Sequence, residues 1–290
     1  MEARMVKVAI GQFESTPDVE GNVQKVEEQV REAADNGAKL VAFHELATTP
    51  YFCFEQRNAE WFETAEPIPG PSSDRVRQLV EETGISVMFP QYELLGDTRY
   101  NTVSLIEPKV GIVGKYRKSH VPASRAHGKQ GGAEENWYFS PGDTGFVAFD
   151  SVLGLRVGSL ICYARHHPEG QRAYGLLGVD ILFVPTASYR AFITGPMWEA
   201  ELTAAAFQNS YYVAGINKVG PVPYIQETER YPGRSLFVDP EGVILEQAGD
   251  QEGLIYCDVD PARPKAVREP LNFFKYRRPD LYDTITESLD

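Results

Sequence analysis

The sequence predicts a layered α/β domain in which mixed sheets are flanked by helices. Three observations carry this reading. Helical and strand-like periodicities alternate through the first part of the chain. Hairpin-like strand pairs with Pro-Gly or Glu-Gly turns take over later. No internal repeat, low-complexity tract or convincing linker divides the whole. With 290 residues, 42% of them hydrophobic and 24% charged, the chain can bury a large core as one domain.

The elements follow in order. "VKVAIGQFE" (6–14) alternates apolar and polar residues, the pattern of a half-buried strand. Val19, Val23, Val26, Val30, Ala33 and Ala34 recur at steps of three and four, which makes one apolar helix face, closed by Gly37 at the C′ position. "KLVAF" (39–43) reads as a buried strand with "HEL" at its C-terminal end. "SDRVRQLVEETG" (73–84) is the next helix and "ISVMFPQYE" (85–93) the next strand. Strand signals continue in "TVSLIE" (102–107), "GIVGKYRKSHV" (111–121), "GFVAFDS" (145–151) and "LRVGSLIC" (155–162). "HPEGQRAYGLLG" (167–178) and "GPMWEAELTAAAFQN" (195–209) are helical. "DILFVPTAS" (180–188), "YYVAGINKV" (211–219), "RSLFVDPEGVILEQA" (234–248) and "GLIYCDVD" (253–260) are strands. The polar loop "PASRAHGKQGGAEEN" (122–136) reads as a site lid or edge loop rather than a domain joint. Aromatic residues in the tail "NFFKYRRPDLYDTITESLD" suggest that it docks, on its own body or on a partner subunit.

Charge and composition narrow the function. The net charge is −13, with 41 acidic against 28 basic residues, a surface that repels nucleic acid and anionic membranes. No run of about 18 apolar residues is present, so no membrane-spanning helix is expected. The opening "MEARMVKVAIGQFES" lacks the hydrophobic stretch of a signal peptide. Cys53, Cys162 and Cys257 are too few and too scattered for a disulfide framework, and a reduced, cytoplasmic setting is expected. A small-molecule substrate fits such a chain. If that substrate is anionic, it needs a local cation to hold it against the overall field.

Three positions could carry chemistry. Glu45 follows an apolar strand, where α/β sheets place their ligands. Desolvation there favours a neutral carboxyl and turns such a group into a usable base; the plainer role is pairing with an arginine or capping a helix. In "GKYRKSHVP", Lys118 and His120 are expected on one strand face with Tyr116, and Lys118 could stabilise an oxyanion. A basic strand on the solvent face is the alternative, and His120 reads as structural. Cys162 falls at or just past a strand end, and Pro168 suits the first turn of a helix soon after. A thiol at such a turn sees helix N-terminal amides, which favour a thiolate and an oxyanion; an inert buried cysteine is the common fate. Cys53 and Cys257 read as inert. Cys162 with His166 and His167 lacks the paired ligand spacing of zinc sites, and no metal or cofactor is expected. A Cys162 pair with His120 or His127 lacks the local signatures of cysteine proteases.

Taken together, Glu45, Lys118 and Cys162 in this order resemble the nitrilase superfamily of carbon–nitrogen hydrolases. "GQFES", "YFCFEQ", "AEPIPGPSS", "YNTVSLIE", "GKYRKSHVP", "WYFSPGD", "ICYARHHPEG", "AGINKVG", "SLFVDPEG" and "YRRPDLYD" fall in the family's order along nearly the whole chain. The resemblance implies a four-layer αββα sandwich over a single domain 1–290, pairing through helices into a homodimer or an assembly of dimers. The tail from about 265 to 290 would then lie at a subunit interface. It implies a catalytic triad of Glu45, Lys118 and Cys162, an oxyanion contact from the Tyr163 backbone, and a supporting glutamate at Glu135, with Glu134 one residue away. "TPYFCFEQ", "RHHPEG" and "INKVG" look most like the β-ureidopropionase and N-carbamoyl amino acid amidohydrolase branch. That likeness assigns Arg165 to a substrate carboxylate, which a guanidinium fork suits, with His166 beside it.

The chain departs from common family patterns at His44, at Tyr163-Ala164 and at His166, and the loop 122–136 matches none. These departures touch substrate identity rather than the triad. An amidase, nitrilase or N-carbamoylputrescine amidase acting on a substrate without a carboxylate is the alternative enzyme. A non-catalytic binding protein and a zinc enzyme on Cys162 and the histidines are the other classes.

Overall fold

In β1 (Val6–Gln12) successive side chains point into two different cores. Val8 and Ile10 belong to a cluster shared with a second sheet, whereas Ala9 joins a cluster under two helices. The computed structural model describes residues 5–55, 57–122, 133–189, 195–225 and 228–288, and repeats this alternation in the neighbouring strands. In β2 (Leu40–Phe43), Leu40 and Ala42 face the inner cluster while Val41 and Phe43 face the outer one. In β3 (Ser86–Leu95), Met88 faces in and Val87 and Phe89 face out. Burial on both faces explains why these strands read as unbroken apolar runs.

Helices α1 (Val19–Asp35) and α2 (Pro71–Thr83) cover the outer face with Val26, Val30, Ala33, Val76, Leu79 and Val80. Gly37 follows α1 at φ +81°, the left-handed conformation that glycine adopts without a Cβ penalty. The first sheet is completed by β4 (Thr98–Glu107), β5 (Gly111–Arg117) and β14 (Gly253–Val259), in the order β14-β1-β2-β3-β4-β5.

The second sheet runs β13-β12-β9-β8-β7-β6, built from β6 (Phe149–Asp150), β7 (Arg156–Ser159), β8 (Ile181–Pro185), β9 (Tyr212–Ile216), β12 (Leu236–Val238) and β13 (Ile244–Gln247). A separate hairpin joins β10 (Val219–Pro221) and β11 (Arg230–Pro232). Helices α4 (Pro168–Leu176) and α5 (Pro196–Asn209) pack on this sheet closely enough to require glycine beneath them. A Cβ on Gly158 would stand 2.5 Å from the Tyr174 ring, and one on Gly215 would stand 2.5 Å from Leu202. Helix, sheet, sheet and helix form the αββα sandwich.

Strand directions gather the candidate residues. β1, β2 and β3 run parallel; β4 reverses and β5 returns, so β2 and β5 end at the same edge. β7, β8 and β9 are also parallel. The one-turn α3 (Glu135–Tyr138) follows β5 after residues 123–132, where His127 and most of the polar loop lie outside the described residues.

Two local expectations are corrected. β5 stops at Arg117, so Lys118 and His120 share no strand face with Tyr116. The Tyr116 ring enters the inner core, and its hydroxyl bonds the Ser119 hydroxyl at 2.9 Å, which takes the chain out of the strand. "GFVAFDS" yields only the two-residue β6, since it is an edge strand pairing on one side. Beyond α6 (Arg263–Leu271) the tail leaves Tyr276, Leu281 and Ile285 exposed, while the guanidinium groups of Arg172 and Arg268 lie 5.0 and 5.1 Å from the Phe274 ring centroid. No helix among the described residues is long and apolar enough to cross a membrane.

Candidate active site

Glu45 sits two residues past β2 and is fully buried. Leu46 after it adopts φ +49°, an uncommon conformation for a branched apolar residue, so outside contacts must hold the turn. The Ala47 N–H donates to the Pro90 carbonyl at 3.0 Å, and Asn22 of α1 donates to the Thr48 carbonyl at 3.0 Å.

Lys118 reaches this carboxylate from the end of β5. Its backbone N–H bonds the Asn101 carbonyl at 2.8 Å, which extends the ladder one step beyond the strand. Its Nζ lies 2.8 Å from Glu45 Oε1 and 2.7 Å from Glu135 Oε1, and all three side chains are buried. Asn101 Nδ2 donates to Glu45 Oε1 at 2.7 Å, and the Tyr51 hydroxyl donates to Glu135 Oε1. Glu45 Oε2 remains buried without a hydrogen-bond partner among the described residues.

Cys162 opens the short 3-10 turn Cys162–His166, three residues beyond β7, with φ +45°. Its Sγ is buried and lies 3.9 Å from Ser188 Oγ. Burial pushes the thiol up to about 11; Glu45 adds to the shift, while Lys118 and Arg165 oppose it. Those four groups therefore share one electrostatic environment. Burial would lower the Lys118 ammonium, but the carboxylates of Glu135 and Glu45 hold it above its ordinary value. Glu135 is raised, by burial first, against the pull of Lys118. Burial thus favours the protonated thiol, Lys118 is a locked ammonium, and Glu45 keeps one oxygen without a hydrogen-bond partner among the described residues. Such a set can move a proton from sulfur to carboxylate and place a positive charge on a developing oxyanion.

The remaining expected residues fall into two groups. Glu135, not Glu134, meets Lys118; Glu134 pairs with Arg57 on the surface side. Arg165 is buried, its Nη1 donating to the Cys162 carbonyl at 3.1 Å and its Nε to Glu201 at 3.2 Å, with the guanidinium 5.2 Å from the Trp198 ring centroid. Its Nη2 is buried with no hydrogen-bond partner among the described residues. His166 bonds the other Glu201 oxygen at 2.6 Å. Burial first, then hydrogen bonds and charge from His166 and Arg165, set Glu201, with the net result below its ordinary value. Tyr163 projects its ring outward against His166 and His167. His120 stays apart from the carboxylates, with its ring against His167 and Nδ1 on Ser119. Cys53 is buried in an aromatic cluster and Cys257 in β14.

Sequence reasoning missed Asn101, Tyr51, Glu201 and Lys218. Asn101, Tyr51 and Lys218 lie inside motifs quoted above, "YNTVSLIE", "YFCFEQ" and "AGINKVG", so a signal existed. Nothing in their own residue types pointed at a partner more than 50 positions away.

The chain matches the carbon–nitrogen hydrolase family model over residues 7–269. It is 33% identical over 295 aligned positions to N-carbamoylputrescine amidase of Solanum lycopersicum, covering 97% of this chain and 95% of that one. It is 30% identical to β-ureidopropionase of Arabidopsis thaliana, covering 90% of this chain and 66% of that one. The crystal structure of a carbon–nitrogen hydrolase from Helicobacter pylori G27 shares the fold, with a TM-score of 0.90, 24% identity and coverage of 99% and 100% of the two chains. With its αββα architecture and its match across nearly the whole length, the chain belongs to the carbon–nitrogen hydrolase family of the nitrilase superfamily, and it is a hydrolase of carbon–nitrogen bonds other than peptide bonds.

Proposed function

We propose that this chain hydrolyses the ureido C–N bond of an N-carbamoyl amino acid, with Cys162 as nucleophile, Glu45 as general base and acid, and Lys118 as oxyanion donor. The observation that carries the reading is the division of labour on Glu45: Oε1 is held by Lys118 and Asn101, while the buried Oε2 has no hydrogen-bond partner among the described residues and is left for a proton. Since the thiol rests protonated, Glu45 takes its proton as sulfur attacks the ureido carbon. The oxyanion meets Lys118 Nζ and the Tyr163 N–H. Protonated Glu45 gives the proton to departing ammonia, which leaves a thiocarbamate on sulfur. The same carboxylate then activates water; the thiocarbamate becomes a carbamic acid, which loses carbon dioxide to give the amine. Glu135 keeps Lys118 charged and fixed, and no step calls on a cofactor.

The amino acid tail rests on Arg165. Its Nη2 is buried with no hydrogen-bond partner among the described residues, next to the nucleophile's own carbonyl, a position from which it can take a substrate carboxylate. A second reading, an N-carbamoyl amine with no carboxylate, is favoured by the Glu201 carboxylate already paired with Arg165 and by likeness to the N-carbamoylputrescine amidase. An ammonia-release screen over N-carbamoyl-β-alanine, N-carbamoyl-D- and L-amino acids, N-carbamoylputrescine, simple amides and nitriles separates the two. Under the first reading Arg165→Ala raises KM on carboxylate substrates and spares uncharged amides; equal losses on both remove the carboxylate contact. The chain is further proposed to act as a cytoplasmic homo-oligomer, with its tail at the subunit interface.

A further inference from the structure

Lys218 is a buried lysine that the chemistry above does not use. It follows β9 in "INKVG", and its Nζ donates to Ser15 Oγ at 2.7 Å, the Leu46 carbonyl at 3.1 Å and the Thr49 carbonyl at 3.2 Å. No carboxylate among the described residues bonds it. Three acceptors match the three donors of an ammonium, and two of them belong to the turn that presents Glu45. Burial holds Lys218 well below its ordinary value, with Glu45 pulling the other way, so its place is fixed by these hydrogen bonds rather than by a paired charge.

The preceding residue reaches the other half of the site. Asn217 Oδ1 accepts from the Ser188 N–H at 3.0 Å, and its Nδ2 donates to the Ser188 carbonyl at 2.9 Å. Ser188 is the residue whose hydroxyl lies 3.9 Å from Cys162 Sγ. The Asn217 N–H is itself held by Ser235 Oγ at 3.0 Å, and the Lys218 carbonyl accepts from Gly233 at 3.0 Å, so the dipeptide is anchored in the second sheet's connections.

We infer that Asn217 and Lys218 form a brace that fixes Glu45 against Cys162 across the two sheets, Lys218 being a positioning residue for the base and Asn217 for the segment beside the thiol. This rests on the reading of Glu45 and Cys162 given above. Leu46 is the point where the brace acts: its left-handed backbone is held by the bond from Lys218 to its carbonyl.

The test compares Lys218→Met, Ser15→Ala and their double variant with the wild type, using N-carbamoyl-β-alanine turnover and inactivation by iodoacetamide. A displacement of about 1 Å in such a set costs on the order of 10²-fold, so Lys218→Met should lower kcat by that factor with KM nearly unchanged. Iodoacetamide inactivation should slow in parallel. Ser15→Ala removes one of the three acceptors and should lower kcat by a few-fold. Added to Lys218→Met it should have no further effect, because the bond it removes is already gone. If Lys218→Met does not fold, Ser15→Ala alone decides through the same split between kcat and KM. Wild-type kcat and alkylation in the variants, with only a lowered melting temperature, would overturn the brace. Full activity in Glu45→Gln or Cys162→Ala would instead overturn the underlying reading of the site, and the brace with it.

Discussion

Replacing Lys118 with Met removes the ammonium while keeping most of the side-chain volume, and two separable costs are expected, one from the buried ion pairs and one from the proposed oxyanion contact. Lys118 holds Glu45 at 2.8 Å and Glu135 at 2.7 Å with all three groups buried, so its loss strands two carboxylates in a site closed to solvent. Breaking a buried ion pair from one side costs about 3–5 kcal/mol. Losing an oxyanion donor costs about 3–4 kcal/mol of transition-state stabilisation, or 10²–10³ in kcat. The buried geometry makes the two costs comparable. Their pH dependence tells them apart. Glu135 already lies above its ordinary value because of burial, and Lys118 is the largest influence pulling it down. Without Lys118, Glu135 in the folded protein holds its proton at a pH where the unfolded chain has released it. Between those two pKa values the native state binds more protons, so stability falls as pH rises. Urea unfolding at pH 5 and pH 8 should therefore show a larger deficit at pH 8, while kcat stays low at both. A deficit that does not change with pH, or a kcat within a few-fold of wild type, would refute the reasoning.

Other outcomes follow from the same geometry. Because burial raises the Cys162 thiol to about 11, its rate of alkylation should climb with pH through the range 7–10 without reaching a plateau, as stopped time courses with iodoacetamide would show; a plateau near neutrality contradicts a protonated resting thiol. Glu93 is buried and accepts from Arg117 at 2.7 and 2.8 Å and from Thr102 at 2.7 Å; burial would raise it, but the bonds from Arg117, Lys115 and Thr102 hold it below its ordinary value. A depressed carboxyl contributes stability above its unfolded pKa and loses it as pH falls through the folded one. Glu93→Gln should therefore lower thermal stability by roughly 3–5 kcal/mol near pH 7 and by much less near pH 3, measured by calorimetry.

Much of this was readable because it depends on local pattern. The runs 40–43 and 85–93 are buried on both faces, and that double burial is what the composition records. Glu45 and Cys162 were found because each follows such a run. Lys118 was found through its motif but placed on the wrong local geometry, since nothing in "YRKSH" shows that Tyr116 turns its hydroxyl onto Ser119 and ends the strand. Glu134 and Glu135 were separable only once Arg57 and Lys118 supplied their partners. Asn101, Tyr51, Glu201 and Lys218 act on residues 35 to 203 positions away, and periodicity carries no information on such pairs. The pairing of Arg165 with Glu201 is the most consequential of these, because it bears on which substrate tail the site accepts.

The most direct measurement is to quench the enzyme during turnover of N-carbamoyl-β-alanine and locate any covalent adduct by peptide mass spectrometry. The account predicts a thiocarbamate carrying the β-alanine moiety on the peptide that contains Cys162, formed far more slowly in Glu45→Gln and absent in Cys162→Ala, which should also release no ammonia. Ammonia release by Cys162→Ala at the wild-type rate, with no adduct on that peptide in any variant, would contradict it.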